Sequence, residues 1–231
     1  MITAIIRKIS TIVKLTKIVQ EASDTYTFMF TAPDNIKWSS GSHAHVLSSD
    51  LKNGKKMKKE LVRELSIMTH PDEKQIGFTT RIRKNPSEFK KIMLNLKVGD
   101  EVRVFKIGNH LKKHNEEHPI VLISMGVGIA TFRPLIIDYL AHESQLSHIT
   151  NINIDRSGDF VFKEELDKLS GIRLKNVFVK TRDELYEEIN QCIRNIDNVY
   201  YIVGSGDFNK SIGDYLTKNN VPKKAILFDK H

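Results

Sequence analysis

The sequence predicts an N-terminal antiparallel β-barrel followed by a five-stranded parallel α/β domain. Two patterns predict this. Across residues 1–115 apolar and polar side chains alternate with the period of two expected of half-buried antiparallel strands. From residue 116 onward, short continuous apolar runs alternate with helical stretches, which implies a parallel sheet with helices on both faces. The charge divides at the same place. Residues 1–115 carry 22 Lys and Arg against 11 Asp and Glu, whereas residues 116–231 carry 14 against 17. A basic half and a near-neutral half argue for two domains with different surfaces, 1–115 and 116–231, and 231 residues suffice for both.

The first half begins with strands over residues 11–19 and 25–30, continued by strands near 44–47, 61–67, 76–82 and 101–105. Turn-forming pairs separate them: Asp34-Asn35, Ser40-Gly41, Asn53-Gly54 and Pro71-Asp72. One short helix is expected over residues 87–96, with Ser87 as its N-cap and Gly99-Asp100 beyond its end. Six short strands and one helix fit a small closed barrel. The segment 110–118 is the natural boundary. In the second half strands are expected at 119–123, 149–154, 176–180, 199–203 and 225–228. Helices are expected near 131–143, 163–169, 183–196 and 207–219.

Composition excludes several classes. Forty per cent hydrophobic and 28% charged residues describe a globular chain. No apolar run approaches the ~20 residues that span a bilayer. The start, Ile2-Thr3-Ala4-Ile5-Ile6-Arg7-Lys8, has too short an apolar stretch for a signal peptide, with its cations on the wrong side. The expected compartment is therefore the cytoplasm. Cys192 is the only cysteine, so an intrachain disulfide, a zinc cluster of cysteines and a four-cysteine iron–sulfur site are excluded.

The chemistry-bearing residues fall in two groups. Ile120-Val121-Leu122-Ile123 runs directly into Ser124-Met125-Gly126-Val127-Gly128-Ile129. A strand that ends in glycine-spaced turns and opens a helix can offer backbone N–H groups to a pyrophosphate. Thr131 can cap that helix, and Pro134 would lie in its first turn, where a missing N–H costs nothing. About sixty residues upstream stands Arg63-Glu64-Leu65-Ser66-Ile67, a second phosphate-competent element on a barrel strand. Two nucleotide sites on one short chain suggest an electron carrier between two cofactors.

Taken in order, Arg63-x-Leu65-Ser66-Ile67, Ser87 before a short helix, Gly126-Val127-Gly128-Ile129, Phe132-Arg133 and Asp155-Arg156-Ser157 resemble the ferredoxin–NADP reductase superfamily. Val199-Tyr200-Tyr201-Ile202-Val203-Gly204 and the ending Ile226-Leu227-Phe228-Asp229-Lys230-His231 extend the resemblance to nearly the whole chain. It implies an FAD-binding barrel and an NAD(P)-binding α/β domain, with the flavin in the cleft between them. It gives Arg63 and Ser87 the flavin pyrophosphate and sets the Ser66 hydroxyl near flavin N5, the hydride acceptor. Leu65, Thr80 and Ile82 would line the flavin. Gly126, Val127, Gly128 and Thr131 would approach the NAD(P) backbone, and Arg156 and Ser157 the adenosine ribose or its 2′-phosphate. Gly204, Ser205 and Phe208 would flank the nicotinamide, and His231 falls where relatives often keep an aromatic residue. The implied activity is transfer of hydride from NADPH or NADH to FAD, with electrons leaving singly to a separate acceptor.

Departures from the family pattern matter equally. Leu65 stands where a tyrosine is usual, so flavin should be held less firmly. Met125, Ala130 and Thr131 replace glycine, threonine and proline, and Val203-Gly204-Ser205 replaces Cys-Gly-Pro. These changes leave open a non-catalytic flavin- or nucleotide-binding or electron-transfer subunit. Asp155 would favour NADH through a ribose diol, Arg156 would favour NADPH, and the balance tilts to NADPH. Lys52, Lys55, Lys56, Lys58 and Lys59 around Asn53-Gly54 are either a solvated hairpin tip or a dock for an acidic ferredoxin- or flavodoxin-like protein. Nucleic acid is not the expected partner, because aromatic platform and recognition helix are both lacking. His43-Ala44-His45 puts two imidazoles on one strand face. With no third ligand evident in the sequence, a surface pair is the weightier reading and no metal is expected.

Overall fold

The computed structural model describes residues 2–49, 51, 56–111, 118–141 and 148–229. It divides into two compact units, residues 1–109 and 110–231. Among the described residues no helix is long and apolar enough to cross a membrane.

The first unit starts with a helix absent from the sequence reading, α1 (Ile2–Ile9), followed by β1 (Thr11–Ala22), β2 (Thr25–Thr31), β3 (Ser42–Leu47), β4 (Val62–Ser66), β5 (Gln75–Arg81), α2 (Glu88–Leu94) and β6 (Glu101–Asn109). The six strands form one antiparallel sheet in the order β4-β3-β6-β1-β2-β5. Alternate residues turn inward to a core of Val13, Leu15, Phe28, Phe30, Ala44, Val46, Phe78 and Val104, closed by Phe89 and Met93 of α2. The sheet is barrel-like, but it does not close as a barrel. Just past the end of β4 the chain meets β5 at the isolated bridge Ile67↔Phe78, through the Met68 N–H donated to the Gly77 carbonyl at 2.9 Å and through the Gly77 N–H donated to the Thr69 hydroxyl at 3.1 Å, and among the described residues no ladder joins the two edge strands. After that bridge the chain is drawn into the short 3-10 turn Pro71–Glu73, where His70 accepts from the Asp72 N–H and Glu73 accepts from the His70 N–H.

The second unit alternates as its periodicity predicts: β7 (Ile120–Met125), α3 (Ile129–Ala141), β8 (Ile149–Ile154), α4 (Lys163–Leu169), β9 (Leu174–Val179), α5 (Arg182–Ile193), β10 (Val199–Val203), α6 (Gly206–Lys218) and β11 (Ile226–Phe228). The five strands run parallel in the order β11-β10-β7-β8-β9. Val121, Ile123, Ile152, Ile154, Tyr200 and Ile202 pack with Leu185 and Ile189 of α5 and with Phe208, Ile212 and Leu216 of α6. Ile120 and Leu122, which alternate with that set on β7, are buried as well, as a sheet covered on both faces requires.

Two local expectations are corrected. The glycine turn folds as a 3-10 turn, Gly126–Gly128, that runs straight into α3, so the helix opens at Ile129. Thr131 is therefore its third residue, 1% exposed, and not a cap. Pro134 is the sixth, inside the helix, where the Ala130 carbonyl loses its ordinary N–H partner. Phe132, Leu135 and Ile136 bury the surrounding turns, so tertiary packing outweighs the local cost.

Candidate functional site

On the first unit, the Arg63 side chain of β4 extends towards α2. Its guanidinium lies 5.9 Å from the centre of the Phe89 ring and donates to the Val62 carbonyl at 2.6 Å. Two further cations gather here that the sequence reading passed over. Arg83 follows β5, and Lys90, in α2, donates to the Arg81 carbonyl at 2.6 Å. Burial, then the positive charges of Arg63 and Arg83, hold the Lys90 ammonium below the usual lysine range, with Asp24 opposing. Ser87, at the N-cap of α2, makes no capping bond, and its buried hydroxyl has no hydrogen-bond partner among the described residues. Lys90, with the charges of Arg63 and Arg83 acting on it, and the unengaged Ser87 hydroxyl form a place where a diphosphate would relieve electrostatic cost. The signal in the sequence was Arg81-Ile82-Arg83-Lys84, a charge run three residues before Ser87.

Leu65 packs against the core of this unit, and Ser66 is the last residue of β4. Thr80 and Ile82, on and just beyond β5, are 5% and 7% exposed. Of the lysine run, Lys56, Lys58 and Lys59 are exposed, and Lys58 pairs with Glu60 at 3.8 Å. Lys52, Lys55 and the turn Asn53-Gly54 lie outside the described residues, as does His231.

On the second unit, the turn after β7 is held from β8. The Asn153 amide, wholly buried, donates to the Ser124 hydroxyl at 2.8 Å and to the Gly126 carbonyl at 3.1 Å. Its own carbonyl oxygen is buried without a partner among the described residues. Asn153 was not singled out in the sequence, where a polar residue inside an apolar run was the available signal. Gly126 has φ +57°, the left-handed region. Gly128 is required for another reason: a Cβ there would stand 2.9 Å from the Val203 carbonyl oxygen. Val127 is half-buried between them. Gly126 thus serves the backbone geometry of the turn and Gly128 its packing against the end of β10, whatever else they meet.

After β8, Asp155 is 7% exposed and accepts from the Ser157 N–H at 3.0 Å and from the Ser157 hydroxyl at 2.7 Å. This local turn leaves Arg156 exposed. Arg133 turns instead to Glu165, with donor–acceptor distances of 2.8 and 2.6 Å, and lies over Phe162. After β10, Ser205 caps α6 by accepting from the Phe208 N–H at 3.3 Å. The Phe208 ring is 1% exposed, part of the core, with the Arg182 guanidinium 5.0 Å from its centre. It closes over Gly204, where a Cβ would come within 2.4 Å of the ring. Phe208 thus belongs to the core of this unit.

No protein-family model matches the sequence, and no curated protein is found similar to it in sequence. Solved structures are similar in fold. Ferredoxin–NADP+ reductase from Plasmodium falciparum aligns with a TM-score of 0.80 at 14% identity over 96% of both chains. The chain has the ferredoxin–NADP reductase fold. The CS-b5R domains of human Ncb5or in the NAD+ form align with a TM-score of 0.79 at 17% identity, over 96% of this chain and 69% of that one. Flavohemoglobin from Malassezia yamatoensis, with bound FAD and heme, aligns at 0.77 and 15% identity, and this chain spans 60% of its length. At these identities the likeness is one of fold, and the residues must carry the argument about chemistry.

Proposed function

We propose that the protein is an FAD-dependent oxidoreductase that takes hydride from NADPH or NADH and passes electrons to a separate acceptor. The observation that carries the reading is the group of Arg63, Arg83 and Lys90 beside the unengaged Ser87 hydroxyl, on the fold in which the P. falciparum enzyme and an FAD-bound flavohemoglobin are built. Bound flavin would supply the conversion of a two-electron hydride into single electrons, chemistry that no side chain of this chain provides. The chain's part is positional.

In this reading Arg63 and Lys90 neutralise the flavin diphosphate and Ser87 hydrogen-bonds it. Ser66 directs its hydroxyl to the reacting edge of the ring. Leu65, Thr80 and Ile82 supply apolar contact and exclude water, Leu65 without the hydroxyl a tyrosine would add. On the second unit the backbone at Gly126, Val127 and Gly128, with the buried Thr131 behind it, receives the nicotinamide nucleotide. Exposed Arg156 and Ser157 meet the adenosine ribose, and Arg156 gives preference to a 2′-phosphate. Gly204 and Ser205 bound the nicotinamide end. Lys56, Lys58 and Lys59, with Lys52 and Lys55, dock an acidic electron-transfer protein.

A second reading rests on a specific observation. Ala130, Val203 and Phe208 are 3%, 5% and 1% exposed, so the positions where the family carries reactive-ring contacts are filled by core. This favours a subunit that binds flavin without turning over NAD(P)H. The two are separated by titrating FAD into the purified chain and following quenching of flavin fluorescence, then adding NADPH without oxygen. Saturable binding with bleaching supports the enzyme. Binding without bleaching supports the subunit, and no binding removes both.

A further inference from the structure

Ile5, Ile6 and Ile9 fall within about 100° of one another around α1, on a single apolar arc. The first unit uses one edge of that arc. Ile6 is 7% exposed and packs with Leu47, Leu51 and Phe105. Ile5 and Ile9, one turn apart on the other edge, are 50% and 52% exposed. A polar residue at either place would leave the Ile6 contact intact, so the packing of α1 does not call for them.

The helix is held firmly enough to present this edge. Thr3 accepts from the Met57 N–H at 3.2 Å, and Met57 packs into the cluster of Ile6. That moors the segment with exposed Lys56, Lys58 and Lys59 to α1. At the other end the Arg7 guanidinium bonds the Leu51 carbonyl, and Arg103 donates to the Ser10 hydroxyl at 3.0 Å. Exposed Lys8 lies three residues from Ile5 and flanks the apolar edge. No Asp or Glu precedes Glu21 in the sequence. The edge is therefore apolar with a cationic border, on the half of the chain where Lys and Arg outnumber Asp and Glu by 22 to 11.

Charge decides what covers it. A second copy would bring Lys8 and the moored lysines against their own kind. The lysines alone serve the acidic protein proposed above, through charge; the isoleucines ask for an apolar medium as well. A bilayer with anionic headgroups answers to both. We propose that α1 docks the first unit on an anionic lipid surface, with Ile5 and Ile9 at the boundary of the acyl chains and Lys8 among the headgroups. Two aliphatic side chains and a few cations give reversible association and not an anchor.

The test is flotation of the full chain, without flavin, with vesicles of phosphatidylcholine alone and with about one third phosphatidylserine. The chain should float with the anionic vesicles only, less so as salt is raised. Ile5→Gln and Ile9→Gln should each weaken binding roughly 3–10-fold, and together roughly 10–100-fold. Lys8→Gln should weaken it about fivefold. Because both isoleucines are half exposed, far-UV circular dichroism should stay that of the parent. Ile9→Trp adds a depth readout: lipid brominated along its acyl chains should quench the new fluorescence and spare Trp38, the parent's one tryptophan, which packs against the core of the unit. A parent chain that floats with neither vesicle, or equally with both, overturns the proposal. So does flotation that survives the double substitution unchanged, which would mark the purely electrostatic contact an acidic protein makes. A dimer in sedimentation velocity that the double substitution dissolves would give the edge to a second copy and overturn it too. Because flavin is absent throughout, failure here leaves the redox reading standing, and failure of flavin to bind leaves this surface standing.

Discussion

Gly128→Ala should destabilise the second unit by an amount that the structure sets. The added Cβ would stand 2.9 Å from the Val203 carbonyl oxygen and 3.1 Å from Val203 Cγ1. Neither atom can give way cheaply, because Val203 ends β10, paired with Ser124 of β7, and the neighbouring Ile202 carbonyl accepts from the Asp229 N–H. Overpacking against fixed backbone costs about 1–3 kcal/mol. For a unit of this size each kcal/mol lowers Tm by roughly 3–5 °C, so the variant should melt roughly 3–15 °C below the parent. Gly206→Ala is the control: a Cβ there meets nothing within 4 Å, and the position opens α6. It should change stability by less than about 0.5 kcal/mol. Urea unfolding followed by circular dichroism measures both. If the glycine served nucleotide approach alone, Gly128→Ala would unfold at the parent's midpoint. That result would refute the packing argument.

Other consequences follow from individual side chains. Arg63→Ala should abolish flavin retention, and Lys90→Met should weaken it while relieving repulsion in the free chain; unchanged FAD affinity in both would remove the diphosphate role. Arg156→Ala should raise the Michaelis constant for NADPH and spare NADH, whereas equal effects would count against a 2′-phosphate contact. Asn153→Ala leaves the buried Gly126 carbonyl and Ser124 hydroxyl short of a donor and should cost about 1–3 kcal/mol in urea unfolding. Burial pushes the Cys192 thiol up to about 11 and the Tyr200 hydroxyl up to about 12. Both groups keep their protons in the native state where the unfolded chain has lost them. Stability should therefore be unaffected by them below about pH 9 and fall from there to about pH 12. A pH-independent midpoint across that window would contradict this.

The sequence announced the second unit more completely than the first. Continuous apolar runs such as Ile120-Val121-Leu122-Ile123 leave little choice but a buried parallel strand, and the helix ends were placed within a few residues. The first unit hid two features. Helix α1 is held by tertiary contacts, Ile6 packed with Leu47 and Phe105 and the Arg7 guanidinium bonded to the Leu51 carbonyl, which no local pattern reveals. Whether β4 and β5 join in a ladder is again a tertiary matter. At the candidate sites, motif residues such as Arg63 and Ser87 could be nominated from the sequence because their spacing is local. Arg83, Lys90 and Asn153 could not, because their roles arise from neighbours on other elements.

Anaerobic mixing of the FAD-loaded chain with NADPH carrying deuterium or hydrogen at nicotinamide C4 tests the central reading most directly. Bleaching of the flavin absorption within a single turnover, slowed by deuterium, is the expected result. Flavin that is bound yet stays oxidised with NADPH and NADH alike would contradict it.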